Sequence, residues 1–199
     1  RTKLSALQSM LRYGGVIVVT LLIGYFSARP ALRCYYDATE MKENTLTQNS
    51  IDIMEKLDGP LTITTYANMF DENYFRALPR YYNEDFNRFE KYIRFKPEIK
   101  MKYVYYYDTI QSLSQDQRFP NLNTEQRARE IMRIHGLDSS LFLSPGQIRE
   151  QIDLSGEKNM FVRLLERENG EKTFLRVFDD MQHHPGESEI TAAFKRIAM

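Results

Sequence analysis

His183 and His184, with Asp179, Asp180 and Glu187 nearby, are the side chains of this sequence most readily imagined around a metal. Imidazoles and carboxylates are the right ligand types, provided that they converge on one point. Adjacent histidines leaving a strand point in different directions, however, and no H-x-x-x-H spacing puts two imidazoles on one helix face. The stretch also reads as a solvated loop leading into a helix, with Glu187 and Glu189 favourable to its N-terminal dipole. Asp179 and Asp180 could act as paired acids, but they come without a base, a nucleophile or a pocket. His135 falls in the last turn of a predicted helix, where partial positive charge suits the dipole. Cys34 is the one cysteine and lies outside the predicted fold. It excludes both an intramolecular disulfide and a C-x-x-C redox pair. No glycine-rich phosphate loop, G-x-S-x-G elbow or kinase motif set is present. The sequence therefore assigns no catalytic, cofactor-binding or metal residue, and the expectation is a protein that is not an enzyme.

The elements around these residues carry more information. Tyr13 to Ala28, YGGVIVVTLLIGYFSA, is uncharged and rich in β-branched residues and leucine. It extends backwards through Leu11, Met10 and Leu7, because Arg12 can snorkel to an interface. Leu4 to Ala28 then reads as one helix of bilayer-spanning length, with Tyr13 and Tyr25 at the interfaces. A cleaved signal peptide is the rival reading, but Ser27-Ala28-Arg29-Pro30 is a poor cleavage context. A lipoprotein site at Cys34 would place Arg33 where a small residue belongs. A buried core helix is the remaining alternative. Arg1, Lys3 and Arg12 precede the helix while Arg29 and Arg33 follow it, a charge bias that leans towards a cytoplasmic N-terminus and an extracytoplasmic domain.

The chain has 199 residues, with 27 basic and 27 acidic side chains, so nothing in its charge points to nucleic acid as a partner. Hydrophobic residues make up 42%, enough for a core in the part that follows the apolar helix. Residues 29–58 read as a membrane-proximal connector and a helix over NSIDIMEKLDG, capped by Thr47 or Asn49 and stopped by Asp58-Gly59-Pro60. Residues 59–199 read as one domain. LTITTYA (Leu61 to Ala67) is a strand. Asp71 to Phe95 is largely helical, with Tyr82, Phe86, Phe89 and Ile93 as its inward stripe. Ile99 to Tyr107 is a second strand, parallel to the first through a right-handed crossover. Asn123 and Gln126 form a capping box for a helix that Gly136 ends. A short helix is expected near Gln147 to Gln151. Met160 to Glu166 and Thr173 to Phe178 form a hairpin around Asn169-Gly170, and Ile190, Ala193, Phe194 and Ile197 mark a last helix. That order, βαβ-α-ββα, is the element order of a thioredoxin-like α/β domain, here without a C-x-x-C and preceded by one transmembrane helix.

The segment Asp37 to Thr47, the helix ending in LDGP, the strand LTITTYA, the run IREQIDLSGEKNMFVRLLERENGEKTFLRVFDD (Ile148 to Asp180) and the following PGESEITAAFKRI together resemble the GldG-like auxiliary components of ABC transporters, associated with bacterial gliding motility. The resemblance covers most of the chain from Asp37 onward; the aromatic run Tyr103 to Tyr107 departs from it. It implies a non-catalytic, membrane-anchored subunit in the bacterial inner membrane, with its domain on the periplasmic side. Its partners would be a permease, a separate ATPase subunit and the lipid bilayer. It also implies a further domain beyond this segment, so the sequence reads as a piece of a longer protein. A membrane-anchored sensory or ligand-binding domain is the alternative. Asp37, Thr45 and Glu187, from the connector and the loops, are the candidate partner-binding residues.

Overall fold

A computed structural model describes residues 5–29, 36–40, 42, 44–110, 119–177 and 184–198. It divides into two compact units, residues 1–45 and 46–199.

The first unit is dominated by helix α1 (Ala6–Ser27). Ser5 opens it with a capping box: its hydroxyl accepts from the Gln8 amide at 3.3 Å, and the Gln8 side chain accepts from the Ser5 amide at 3.1 Å. Gln8–Ser27 has a mean hydropathy of 1.5, and none of it is buried. Ile17 is 59% exposed and Leu21 67%. At 1.5 Å per residue the stretch is about 30 Å long, the thickness of a bilayer's hydrocarbon layer. The hydroxyls of Thr20 and Ser27 are satisfied within the helix, on the Val16 and Gly24 carbonyls. α1 is therefore long and apolar enough to cross a membrane.

The second unit is a mixed α/β domain. Its strands are β1 (Leu61–Asn68), β2 (Ile99–Tyr106), β3 (Phe142–Leu143), β4 (Val162–Arg167) and β5 (Lys172–Arg176), in the spatial order β3-β2-β1-β4-β5. β1, β2 and β3 run parallel, whereas β4 and β5 are antiparallel. A parallel neighbour needs a long crossover, and helix α3 (Tyr82–Phe95) supplies it between β1 and β2. Helices α2 (Gln48–Glu55) and α6 (Glu187–Ala198) pack on the same sheet face, where Ile53, Leu61, Ile63, Phe89, Leu165 and Phe194 form the main core. Among the described residues, the opposite face is covered in part, by the short helix α5 (Pro145–Gln151) and Leu154 over Tyr66, Tyr106, Val162 and Leu164. There Lys100 and Lys102 of β2, Glu166 of β4 and Lys172 of β5 are exposed. Helix α4 (Thr124–His135) has the Asn123–Gln126 capping box and ends on Gly136, whose φ of 60° a side chain would strain. It closes a second cluster with Met69, Phe70, Leu78 and Phe142.

Three details differ from the sequence reading. The stretch before α3 forms two short 3₁₀ turns, Tyr74–Ala77 and Pro79–Tyr81. The inward line of α3 runs through Asp85, Phe89 and Tyr92, each at most 2% exposed, while Tyr82 is 41% exposed. The cause is a buried charge on β4, described below, that draws Asp85 inward. The two-residue strand β3 was not foreseen.

At the β4–β5 hairpin the Arg167 amide donates to the Glu171 carbonyl at 2.9 Å. Alternation from that pair points the backbone groups of Lys172, Phe174 and Arg176 away from β4, along the sheet edge. The outward Phe174 carbonyl accepts from the Arg196 guanidinium of α6 at 3.0 Å.

Candidate functional site

The residues singled out from the sequence separate into two places. Asp37 and Thr45 come together in the first unit. The Asp37 carboxylate accepts from the Thr39 hydroxyl (2.6 Å) and amide (3.0 Å), the Asn44 amide (2.8 Å) and the Thr45 hydroxyl (2.9 Å). The Thr39 hydroxyl first, then the Thr39 amide and the Asn44 and Thr45 contacts, hold this carboxyl well below the usual carboxylate range. Asp37 thus draws Thr39, Asn44 and Thr45 together.

Glu187 opens α6 in the second unit. Its carboxylate accepts from the Thr47 amide at 2.8 Å and the Ser50 hydroxyl at 2.7 Å. The buried Thr191 hydroxyl lies 2.8 Å from that of Ser50; the Tyr92 hydroxyl donates to the Glu187 carbonyl at 3.1 Å and lies 3.1 Å from Thr191 Oγ1. Because Ser50 must donate to the carboxylate, Thr191 donates to Ser50, and the chain of protons has a fixed direction. Burial pushes the Glu187 carboxyl up, and the Thr47 and Ser50 contacts more than offset it, leaving it below its ordinary value. The network joins α2, α3 and α6.

His183, Asp179, Asp180 and Cys34 lie outside the described residues. His184 is described, and its Nε2 sits 2.6 Å from Nη1 of Arg76. An arginine always donates, so this nitrogen is the acceptor of a neutral imidazole. His135 is exposed at the end of α4. Among the described residues, no group of three or more His, Cys, Asp or Glu side chains could hold a metal ion.

In sheets with parallel strands, ligands gather at the carboxyl ends of those strands. Here those ends carry a polar cluster that sequence reasoning missed. The Asn68 side chain, fully buried at the end of β1, donates to the carbonyls of Asp108 (2.8 Å) and Asn159 (2.9 Å). It accepts from the amides of Phe70 (3.1 Å) and Asp108 (3.2 Å). Tyr106 donates to the Asn159 carbonyl at 2.9 Å, and burial pushes its phenol well above the usual range. Asp71 accepts from the amides of Asn73 (2.7 Å) and Phe161 (2.8 Å). Asp108, 2% exposed, holds Arg149 through both oxygens, with contacts of 2.8 to 3.1 Å. The carboxylates here are spent on the protein's own amides and cation. That arrangement ties three loops together; it does not present a base to a substrate.

Beside this cluster lies a cavity of about 510 Å³, lined by Glu157, Lys158, Met160, Phe161, Val162 and Arg176, among others. Arg176 closes one wall through a bidentate pair with Glu157, at 2.5 and 2.6 Å. Lys158 and Asn159 both adopt φ of 54°, unusual for side-chain-bearing residues. A cavity of this size, with an apolar floor and charged mouth, is of small-ligand dimensions.

No protein-family model, curated protein or solved structure matches the chain.

Proposed function

We propose that this protein is a non-catalytic, membrane-anchored auxiliary or permease-associated subunit of an ABC transporter, with an extracytoplasmic interaction domain. The observation that carries the reading is α1: twenty residues of apolar helix, Gln8–Ser27, with none of it buried. Such a surface is stable only when something apolar covers it, and a bilayer matches both its length and its chemistry. The second unit supports a binding role more than a catalytic one, because the carboxylates at its strand ends are consumed in internal hydrogen bonds. Its strand order, with a parallel βαβ unit joined to an antiparallel hairpin, supports the finer reading of a thioredoxin-like domain. Placement in a bacterial inner membrane, with the domain on the periplasmic side, rests on the sequence resemblance and the flanking charges.

Co-purification from detergent tests the proposal. The full-length protein should bring down a permease and an ATPase polypeptide; their reproducible absence under mild solubilisation overturns the transporter reading. A membrane-anchored ligand-binding domain is the second reading, favoured by the cavity beside Phe161. It requires a small molecule that raises the Tm of the detergent-solubilised protein, an effect that Val162→Trp, by filling the cavity, should abolish.

A further inference from the structure

Three polar atoms in the middle of the sheet are buried and without a hydrogen-bond partner among the described residues: Thr65 Oγ1, and Nε and Nη1 of Arg163. They share one spot. Thr65 and Arg163 are direct cross-strand partners on β1 and β4, and Thr65 also faces Tyr103 on β2. Both Thr65 and Arg163 are fully buried. The remaining guanidinium nitrogen, Nη2, donates to Asp85, whose other oxygen accepts from the Tyr103 hydroxyl at 2.9 Å. The rings of Phe89 and Phe161 lie 5.4 and 5.0 Å from the guanidinium carbon. Rings over a guanidinium stabilise its charge but accept none of its in-plane N–H groups.

We propose that this row holds an internal water molecule, accepting from Arg163 and donating to Thr65 Oγ1. The two side chains are directly opposed on neighbouring strands, and two hydrogen bonds of about 2.8 Å let one water bridge polar atoms up to about 5.6 Å apart. Buried waters make two to four hydrogen bonds to groups otherwise left unsatisfied; Nε–H and Nη1–H leave the guanidinium on different sides, so this water takes Nε–H as donor and Thr65 Oγ1 as acceptor. Charge selects water over an ion. Asp85 already balances Arg163, so an anion would meet the carboxylate without a free cation, and a cation would meet the guanidinium.

The test uses the full chain in detergent micelles with ¹⁵N-labelled arginine, reading the Arg163 Hε resonance. A nuclear Overhauser cross-peak from Hε to water is expected in the wild type. Thr65→Ser retains it, and Thr65→Val, which removes the acceptor while keeping the shape, loses it. A protected Hε with no water cross-peak overturns the proposal. If Thr65→Val fails to fold, a high-resolution crystal structure of the wild type decides. A water within hydrogen-bond reach of both side chains supports the assignment; a direct Thr65–Arg163 bond, an ion or empty density refutes it.

Discussion

Replacing Arg163 alone should damage this protein more than replacing it together with Asp85. Arg163 and Asp85 are 0% and 2% exposed, and they are bonded to each other beneath α3. In Arg163→Met the Asp85 carboxylate keeps only the Tyr103 hydroxyl and stays buried as an uncompensated charge. Breaking a buried pair in this way costs about 3–5 kcal/mol. In the double variant Asp85→Leu/Arg163→Met no charge is buried. What remains is a Tyr103 hydroxyl that loses its acceptor, at about 1 kcal/mol, set against improved apolar packing. The double variant should therefore fall within about 1 kcal/mol of the wild type, roughly 3 kcal/mol more stable than Arg163→Met alone. Urea unfolding in micelles, followed by tyrosine near-UV circular dichroism because the chain lacks tryptophan, reads this directly. With a slope near 2 kcal/mol per molar urea, a loss of about 4 kcal/mol lowers the midpoint by roughly 2 M. If Arg163→Met costs less than about 1 kcal/mol, or the double variant is as unstable as the single, the account of this pair is wrong.

Glu187→Gln should cost about 1–2 kcal/mol at neutral pH by weakening the Thr47 and Ser50 bonds. Because the folded carboxyl lies below its ordinary value of 4.5, this advantage is present above that value and lost as pH falls through the folded one. The difference between wild type and variant in urea midpoint must shrink over that range; a gap independent of pH contradicts the assignment. Asn68→Ala strips partners from the Phe70 and Asp108 amides and should cost about 3–4 kcal/mol, visible as a lowered Tm, whereas a loss under 1 kcal/mol would show the cluster to be dispensable. Val18→Arg, in the middle of α1, adds about 2.5–3.5 kcal/mol to the free energy of membrane insertion. Carbonate-resistant membrane association should fall sharply, and unchanged association would remove the bilayer from the proposed function.

Local features were legible from the chain alone. The Asn123–Gln126 box and Gly136 bound α4 because capping depends on residues within one turn of each other. Asn169-Gly170 marked the hairpin, where Gly170 has φ of 87°. The parallel β1–β2 pair followed from strand, helix and strand in succession. What stayed hidden involves partners far apart in sequence. Arg163 sits in an apolar run whose pattern says strand but says nothing of a guanidinium neutralised by Asp85, 78 residues earlier. Asn68 and Asp108, 40 residues apart, each look like ordinary turn-formers until β1 and β2 bring them together. Asp37 and Thr45 read as exposed connector positions; their closeness comes from the hydrogen bonds that Asp37 itself accepts.

The contact between Arg196 and the Phe174 carbonyl has a consequence for how copies of the domain meet, above all under the membrane anchoring proposed. Tethering to a bilayer multiplies the encounter rate between copies, and a bare strand margin would then nucleate stacked, fibre-like assemblies. With one outward oxygen occupied by the Arg196 guanidinium, and with the exposed Lys172 beside it, a second copy approaching margin to margin meets cations where it would need a free carbonyl. The guanidinium on the final helix therefore acts as a bumper, letting the domain crowd densely without zipping to its neighbours.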